Sequence, residues 1–109
     1  MAATLKVLGQ VVPGAAALTT LYTVPAATST VISTLMVSNN SAVATAFRVA
    51  IRVAGAAADP KHYIYYNVAI NGNDTFAATL GITLATTDVV SVYATLATLA
   101  FNLFGQENT

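Results

Sequence analysis

The sequence predicts an all-β fold: a single antiparallel β-sandwich, jelly-roll or immunoglobulin-like, of about seven or eight strands. Three observations lead there. Ala, Thr and Val dominate the chain, and β-branched side chains suit a pleated surface. Apolar residues recur with period two in several windows, which a helix would not produce. Turn signals punctuate those windows about every 8–12 residues, the spacing of a sandwich or barrel.

Residues 1–14, "MAATLKVLGQVVPG", are expected to be an extended N-terminal arm, because Gly9, Pro13 and Gly14 interrupt any regular element. Residues 15–109 form the predicted sandwich domain. Its first strand is "LTTLYTVP" (18–25), stopped by Pro25. The second, "STVISTLMVSNNS" (29–41), ends at the Asn39-Asn40 turn. The clearest alternation is "VATAFRVAIRV" (43–53), with Phe47, Val49, Ile51 and Val53 on one face and Arg48, Ala50 and Arg52 on the other. A loop follows at 54–60, marked by Gly55 and Asp59-Pro60.

"KHYIYYNVAI" (61–70) alternates again. His62, Ile64, Tyr66, Val68 and Ile70 form one row, and Tyr63, Tyr65, Asn67 and Ala69 the other. Both rows carry large side chains, so both faces are expected to be covered. "NGND" (71–74) supplies the Asn-Gly pair of a tight hairpin turn. "TFAATLGITL" (75–84), broken by Gly81, makes the next wall, and "TTD" (86–88) punctuates before "VVSVYATL" (89–96). "AFNLFGQ" (100–106) is the last strand, opposing Phe101, Leu103 and Gly105 to Asn102 and Phe104.

Composition narrows the function classes. Charged residues make up 7% of the chain and the net charge is zero, against roughly 25% charged residues in an ordinary soluble domain. So little charge favours a surface covered by copies of the same chain or by a larger assembly. Four basic residues (Lys6, Arg48, Arg52, Lys61) face four acids (Asp59, Asp74, Asp88, Glu107), so no electrostatic footprint for nucleic acid exists. Residues 89–106 run without a charge, long enough for a short spanning helix. Ser91, Thr95, Thr98, Asn102 and Gln106 interrupt that run and no Lys or Arg flanks it, so no membrane partner is expected. The N-terminal apolar run is broken by Gln10, Pro13 and Gly14 and does not make a signal peptide. Cysteine is absent, which removes disulfides and Cys-based zinc sites.

Catalytic signals are weak, and the expectation is that the protein is not an enzyme, with no catalytic, cofactor-binding or metal-ligating residues. The single histidine, His62, lies near Asp59, but there is no G-x-S-x-G around any of the five serines. A structural histidine packed among tyrosines accounts for it. Asp74 and Asp88 flank one segment and could meet across a hairpin, yet both fall at turns, where aspartate bonds to the backbone. "NGND" lacks the spaced acids and closing glutamate of a calcium loop. Contact residues are a better prospect. Arg48 and Arg52 share a strand face and suit an interface with carboxylates, a solvated face being the alternative. Tyrosine is enriched at interfaces, which singles out Tyr63 and Tyr65. Leu5, on the arm, completes the candidate interface set of Leu5, Arg48, Arg52, Tyr63 and Tyr65.

Four blocks in order, "TLYTVPAATSTVISTLMVSNNS" (20–41), "FRVAIRVAGAAADPKHYIYY" (47–66), "GNDTFAATLGITLATTDVVSVYA" (72–94) and "FNLFGQE" (101–107), make the chain resemble small β-sandwich virion structural proteins of tailed bacteriophages. "YTVPA" (22–26), with the long Val/Ser/Thr strand and Asn turn after it, looks like the first hairpin of such domains. At the "TTD" turn these families often carry glycine before the aspartate, where this chain has Thr87. The resemblance implies a virion location and a capsid decoration (cement) protein. Such a protein would stabilise the head by binding the major capsid protein, other virion proteins and its own copies, as a homo-oligomer with a trimer favoured. It transfers no active-site residues. A neck, tail, baseplate or fibre-adaptor subunit is the alternative within that class. A host-surface carbohydrate-binding module using Tyr63, Tyr65 and Tyr66 is the alternative from another class.

Overall fold

The computed structural model describes residues 2–109. Eight strands run as β1 (Ala3–Val11), β2 (Thr19–Thr23), β3 (Ser29–Asn39), β4 (Thr45–Arg52), β5 (Tyr63–Ile70), β6 (Thr75–Leu84), β7 (Val89–Ala94) and β8 (Leu99–Asn108). Two short 3-10 turns, Val53–Gly55 and Pro60–His62, lie between β4 and β5. The strands make two four-stranded sheets, ordered β1-β8-β3-β6 and β2-β7-β4-β5, and every ladder is antiparallel. Interleaving of early and late strands in both sheets is the jelly-roll order, which decides between the two sandwich types the sequence allows.

Directly opposed residues in a ladder share a face, so the registers define the core. In the first sheet, Val11, Phe101, Val37 and Phe76 form one inward row, and Gly9, Leu103, Leu35 and Ala78 the next. The second sheet sends Phe47, Val49, Val90, Val92 and Ala94 to meet them. Phe47, fully buried, lies 5.1 Å from Phe76 and 5.9 Å from Phe101 between ring centroids.

Four expectations are corrected by this architecture. Residues 3–11 are not a free arm but an edge strand paired along its length with β8. Gly9 does not break that strand. It lets β1 pass close over β2, where an added Cβ would collide with the Leu21 carbonyl oxygen. The "NGND" segment is not a hairpin turn either, because β5 pairs with β4 and β6 with β3. It carries the chain from one sheet to the other and docks on the preceding corner: the Asn73 amide donates to Ser41 (2.8 Å), and Gly72 has no room for a side chain against the Ala42 backbone. Asn73 supplies the positive φ of 56° there. Third, β4 ends at Arg52, so Val53 turns out to solvent instead of continuing the buried row.

The fourth correction is in β5. Phe47 opposes Val68, but Val49 opposes Tyr65, so β5 holds one residue more than β4 across that step. Asn67 sits in this bulge with φ 51°. The extra residue inverts the facing of Tyr66 and Tyr65, and a second shift, between Val49 and Ala50, restores that of Tyr63, which opposes Ala50. Tyr65 therefore points to the core with Val68 and Ile70, while Ile64 and Tyr66 are exposed.

Candidate functional site: two unlike sheet faces

The two outer faces of the sandwich have opposite chemistry. On the first sheet, three rows cross all four strands: Leu5–Gln106–Val31–Thr83, Val7–Phe104–Thr34–Thr79, and Gln10–Asn102–Met36–Ala77. None of these residues is charged. Leu5 is 80% exposed, and Val7 and Val31 are also exposed. Gln10 and Asn102 satisfy each other across the strands (Nε2 to Oδ1, 2.7 Å). Strand spacing and rise give this face a footprint of about 600 Å².

All eight ionisable Lys, Arg, Asp and Glu side chains lie elsewhere. Lys6 and Glu107 belong to inward rows at the mouth of the sandwich, opposing Gly105 and Thr30 respectively. Asp74 is in the β5–β6 corner, and its carboxylate accepts from the Thr75 amide (2.8 Å). Asp88 is buried in the β6–β7 corner and accepts from the amides of Ala54 and Ala85, each at 2.9 Å. Asp74 and Asp88 stand at opposite ends of β6, on the order of 35 Å of extended strand apart, and form no pair. Thr87 takes φ 66° at this corner, a backbone region that a β-branched residue rarely enters and glycine enters freely.

On the second sheet, Arg48, Arg52, Ser91 and Tyr93 belong to the outer face of β4 and β7. The Arg48 guanidinium lies between two tyrosine rings, 4.3 Å from the centroid of Tyr66 and 4.3 Å from that of Tyr93. Its Nε donates to Asn67 Oδ1 at 2.7 Å. The bulge that turns Tyr65 inward is what brings Tyr66 and Asn67 to this arginine. Arg52 has a different duty. Its Nε donates to the buried Ser91 hydroxyl (3.1 Å) and its Nη1 to the Ala56 carbonyl (3.0 Å), holding the 53–62 loop against the sheet.

The far end of that loop is fixed by a reciprocal cap. The Lys61 amide donates to Asp59 Oδ1 (3.1 Å), and the Asp59 amide donates to His62 Nδ1 (3.2 Å). His62 is buried in this cap, and none of its hydrogen bonds involves a serine. Beyond the cap, Ala58, Asp59, Pro60, Tyr63 and Tyr66 line an open cleft of about 510 Å³. Tyr63 and Tyr66 meet edge to face, 5.0 Å between centroids. Among the described residues no three His, Asp or Glu side chains are grouped to hold a metal ion, and no helix is long and apolar enough to cross a membrane.

The five candidate contact residues thus separate. Leu5 stands on the charge-free face. Arg48 and Tyr63 share the opposite face. Arg52 is spent on its own loop, and Tyr65, packed on Phe47 and Phe76, belongs to the core. Tyr66, Tyr93 and Asn67 were not singled out from the sequence for Arg48, because their convergence depends on strand pairing and one bulge.

A further polar cluster joins the sheets at the mouth. The Tyr22 hydroxyl donates to Glu107 Oε2 (2.5 Å) and shares a hydrogen bond with the buried Thr30 hydroxyl (2.8 Å), while Lys6 Nζ donates to Glu107 Oε1 (3.2 Å). Burial, reinforced by the bond to Glu107, pushes the Tyr22 phenol up to about 12. The hydrogen bond from Tyr22, followed by Lys6, holds the Glu107 carboxyl below its ordinary value. A lowered carboxyl pKa gives stability that is complete above the unfolded value, 4.5 here, and is lost as pH falls through the folded one. A raised phenol gives stability that is complete below pH 10 and is lost as pH rises towards about 12. The urea midpoint is therefore expected to be flat through neutrality and to fall at both ends. Tyr22→Phe should remove the alkaline fall and shallow the acid one; curves parallel to wild type at both ends would contradict the coupling.

Comparison with known protein families and with curated proteins finds no match for this chain.

Proposed function

We propose that this protein is a structural subunit that works by docking, without chemistry of its own, and that its role is decoration of a virion shell. In this reading the charge-free outer face of the β1-β8-β3-β6 sheet packs on the shell subunits, and further contacts join copies to one another. The observation that carries it is the segregation of charge: eight charged side chains, none on that face. Depletion of charge from a patch bearing Phe, Met, Val and Leu is the composition of an interface core. Its footprint is of the same order as the roughly 800 Å² that one partner gives to a standard interface. The resemblance of the four sequence blocks to phage virion proteins supports the choice of a shell as the partner.

The test is a double substitution, Leu5→Lys with Val31→Lys, on two positions of one outward row that flank Gln106. Surface substitutions of this kind change stability by about 0.5 kcal/mol or less, so the melting temperature should barely move. Two lysines on a docked face should abolish incorporation into purified particles, counted by quantitative mass spectrometry against the major shell protein. Wild type is expected at a copy number of the order of the shell subunits. A few copies per particle would instead favour a neck, tail or fibre position, and absence from particles, or undiminished incorporation of the double variant, would overturn the reading.

A further inference from the structure

The face opposite the charge-free one carries a second kind of surface, and we propose that its cleft between Tyr63, Tyr66, Pro60 and Asp59 binds a neutral hexopyranose unit of a glycan. The volume of about 510 Å³ lies within the range of small-ligand sites. Its lining combines two phenol rings and a proline with one carboxylate. That combination matches a sugar ring, which has an apolar face of C–H groups to set on an aromatic surface and hydroxyls to donate to a carboxylate.

The parts are held in place before any ligand arrives. Asp59 Oδ1 is fixed by the Lys61 amide, while no hydrogen bond from a described residue engages Oδ2, which leaves it as an acceptor. Tyr66, 57% exposed, is held by Arg48, and Arg48 is itself held by Asn67 and Tyr93. A pre-set cleft lowers the ordering cost of binding.

Charge selects the ligand class. Tyr66 already carries a guanidinium at 4.3 Å, so a second cation on the same ring system would meet like charge. An anion would meet the Asp59 carboxylate. A neutral polyol avoids both. The inference stands apart from the docking reading, since it uses the other sheet and needs no shell.

Saturation-transfer NMR and titration calorimetry on the intact protein would test it, with the methyl glycosides of mannose, galactose, glucose and N-acetylglucosamine as probes and tetramethylammonium as a cation control. The expected result is saturable binding of at least one glycoside at a millimolar dissociation constant. Tyr66→Ala and Asp59→Asn should each weaken it about tenfold or more, the second keeping an acceptor for the Lys61 amide so that the loop stays folded. Unchanged far-ultraviolet circular dichroism would certify both variants. No saturable binding by any of the four glycosides, binding indifferent to both substitutions, or preference for tetramethylammonium would each overturn the proposal.

Discussion

Phe47→Ala is expected to destabilise the sandwich by about 3–5 kcal/mol, the range for removing a large aromatic ring from a closed core. Phe47 has no exposed surface, and it touches aromatic rings from three other strands: Tyr65 on β5, Phe76 on β6 and Phe101 on β8. Tilted and edge-to-face pairs at such distances add about 0.5–1.5 kcal/mol each beyond burial. Phe76 and Phe101 belong to the first sheet and Phe47 to the second, so the ring is the point where the sheets interlock. Because β4 and β8 are central strands, neither can shift to fill the gap. A drop of the order of 10–25 °C in melting temperature should follow for a domain of this size. A fall of only a few degrees would mean that the sheets close over the cavity.

Asp88→Ala should have the second largest effect, about 2–5 kcal/mol, by a different route. The carboxylate serves two amides that have no other partner among the described residues, one in the β6–β7 corner and one in the 3-10 turn after β4. Leaving each donor unsatisfied costs about 1–3 kcal/mol. Asp88→Asn keeps one acceptor oxygen and should recover roughly half of the loss. Denaturant midpoints of the three proteins give the order directly. Equal losses in the Ala and Asn variants would show that the negative charge, rather than the count of acceptors, matters at this corner.

Period-two alternation in a Thr- and Val-rich chain was enough to read seven of the eight strands, all but β1, since side-chain facing in a strand is set by sequence parity. What parity cannot reveal is where it breaks. Asn67 accepts a left-handed backbone and its bulge reverses the facing of Tyr65 and Tyr66 relative to Val68 and Ile70, while a second register shift one step on returns Tyr63 to the outer face. Nothing distinguishes that asparagine from the same residue in a regular strand. Glycine misled in the other direction at position 9, where it serves the close crossing of two strands rather than an end of structure. Asn-Gly at 71–72 marked a turn correctly but not its kind: Gly72 is there for its close approach to the Ala42 backbone, and the positive φ falls on Asn73. Low charge was evident at once, whereas the clearance of one whole sheet face needed the order of the strands.

That strand order also sets a timetable. β1 finds its ladder partner only in β8, and β8 sits between β1 and β3 at the heart of the first sheet. A nascent chain that has not yet emerged past residue 99 therefore holds β1 with its edge groups unanswered and β3 with one side open. Pairings this remote in sequence close slowly, on the millisecond-to-second scale of all-β domains. The exposed Leu5 and Val7 thus stand on an unfinished sheet until β8 is made, which makes the appearance of that one strand, rather than the steady growth of the chain, the step at which the first sheet can close.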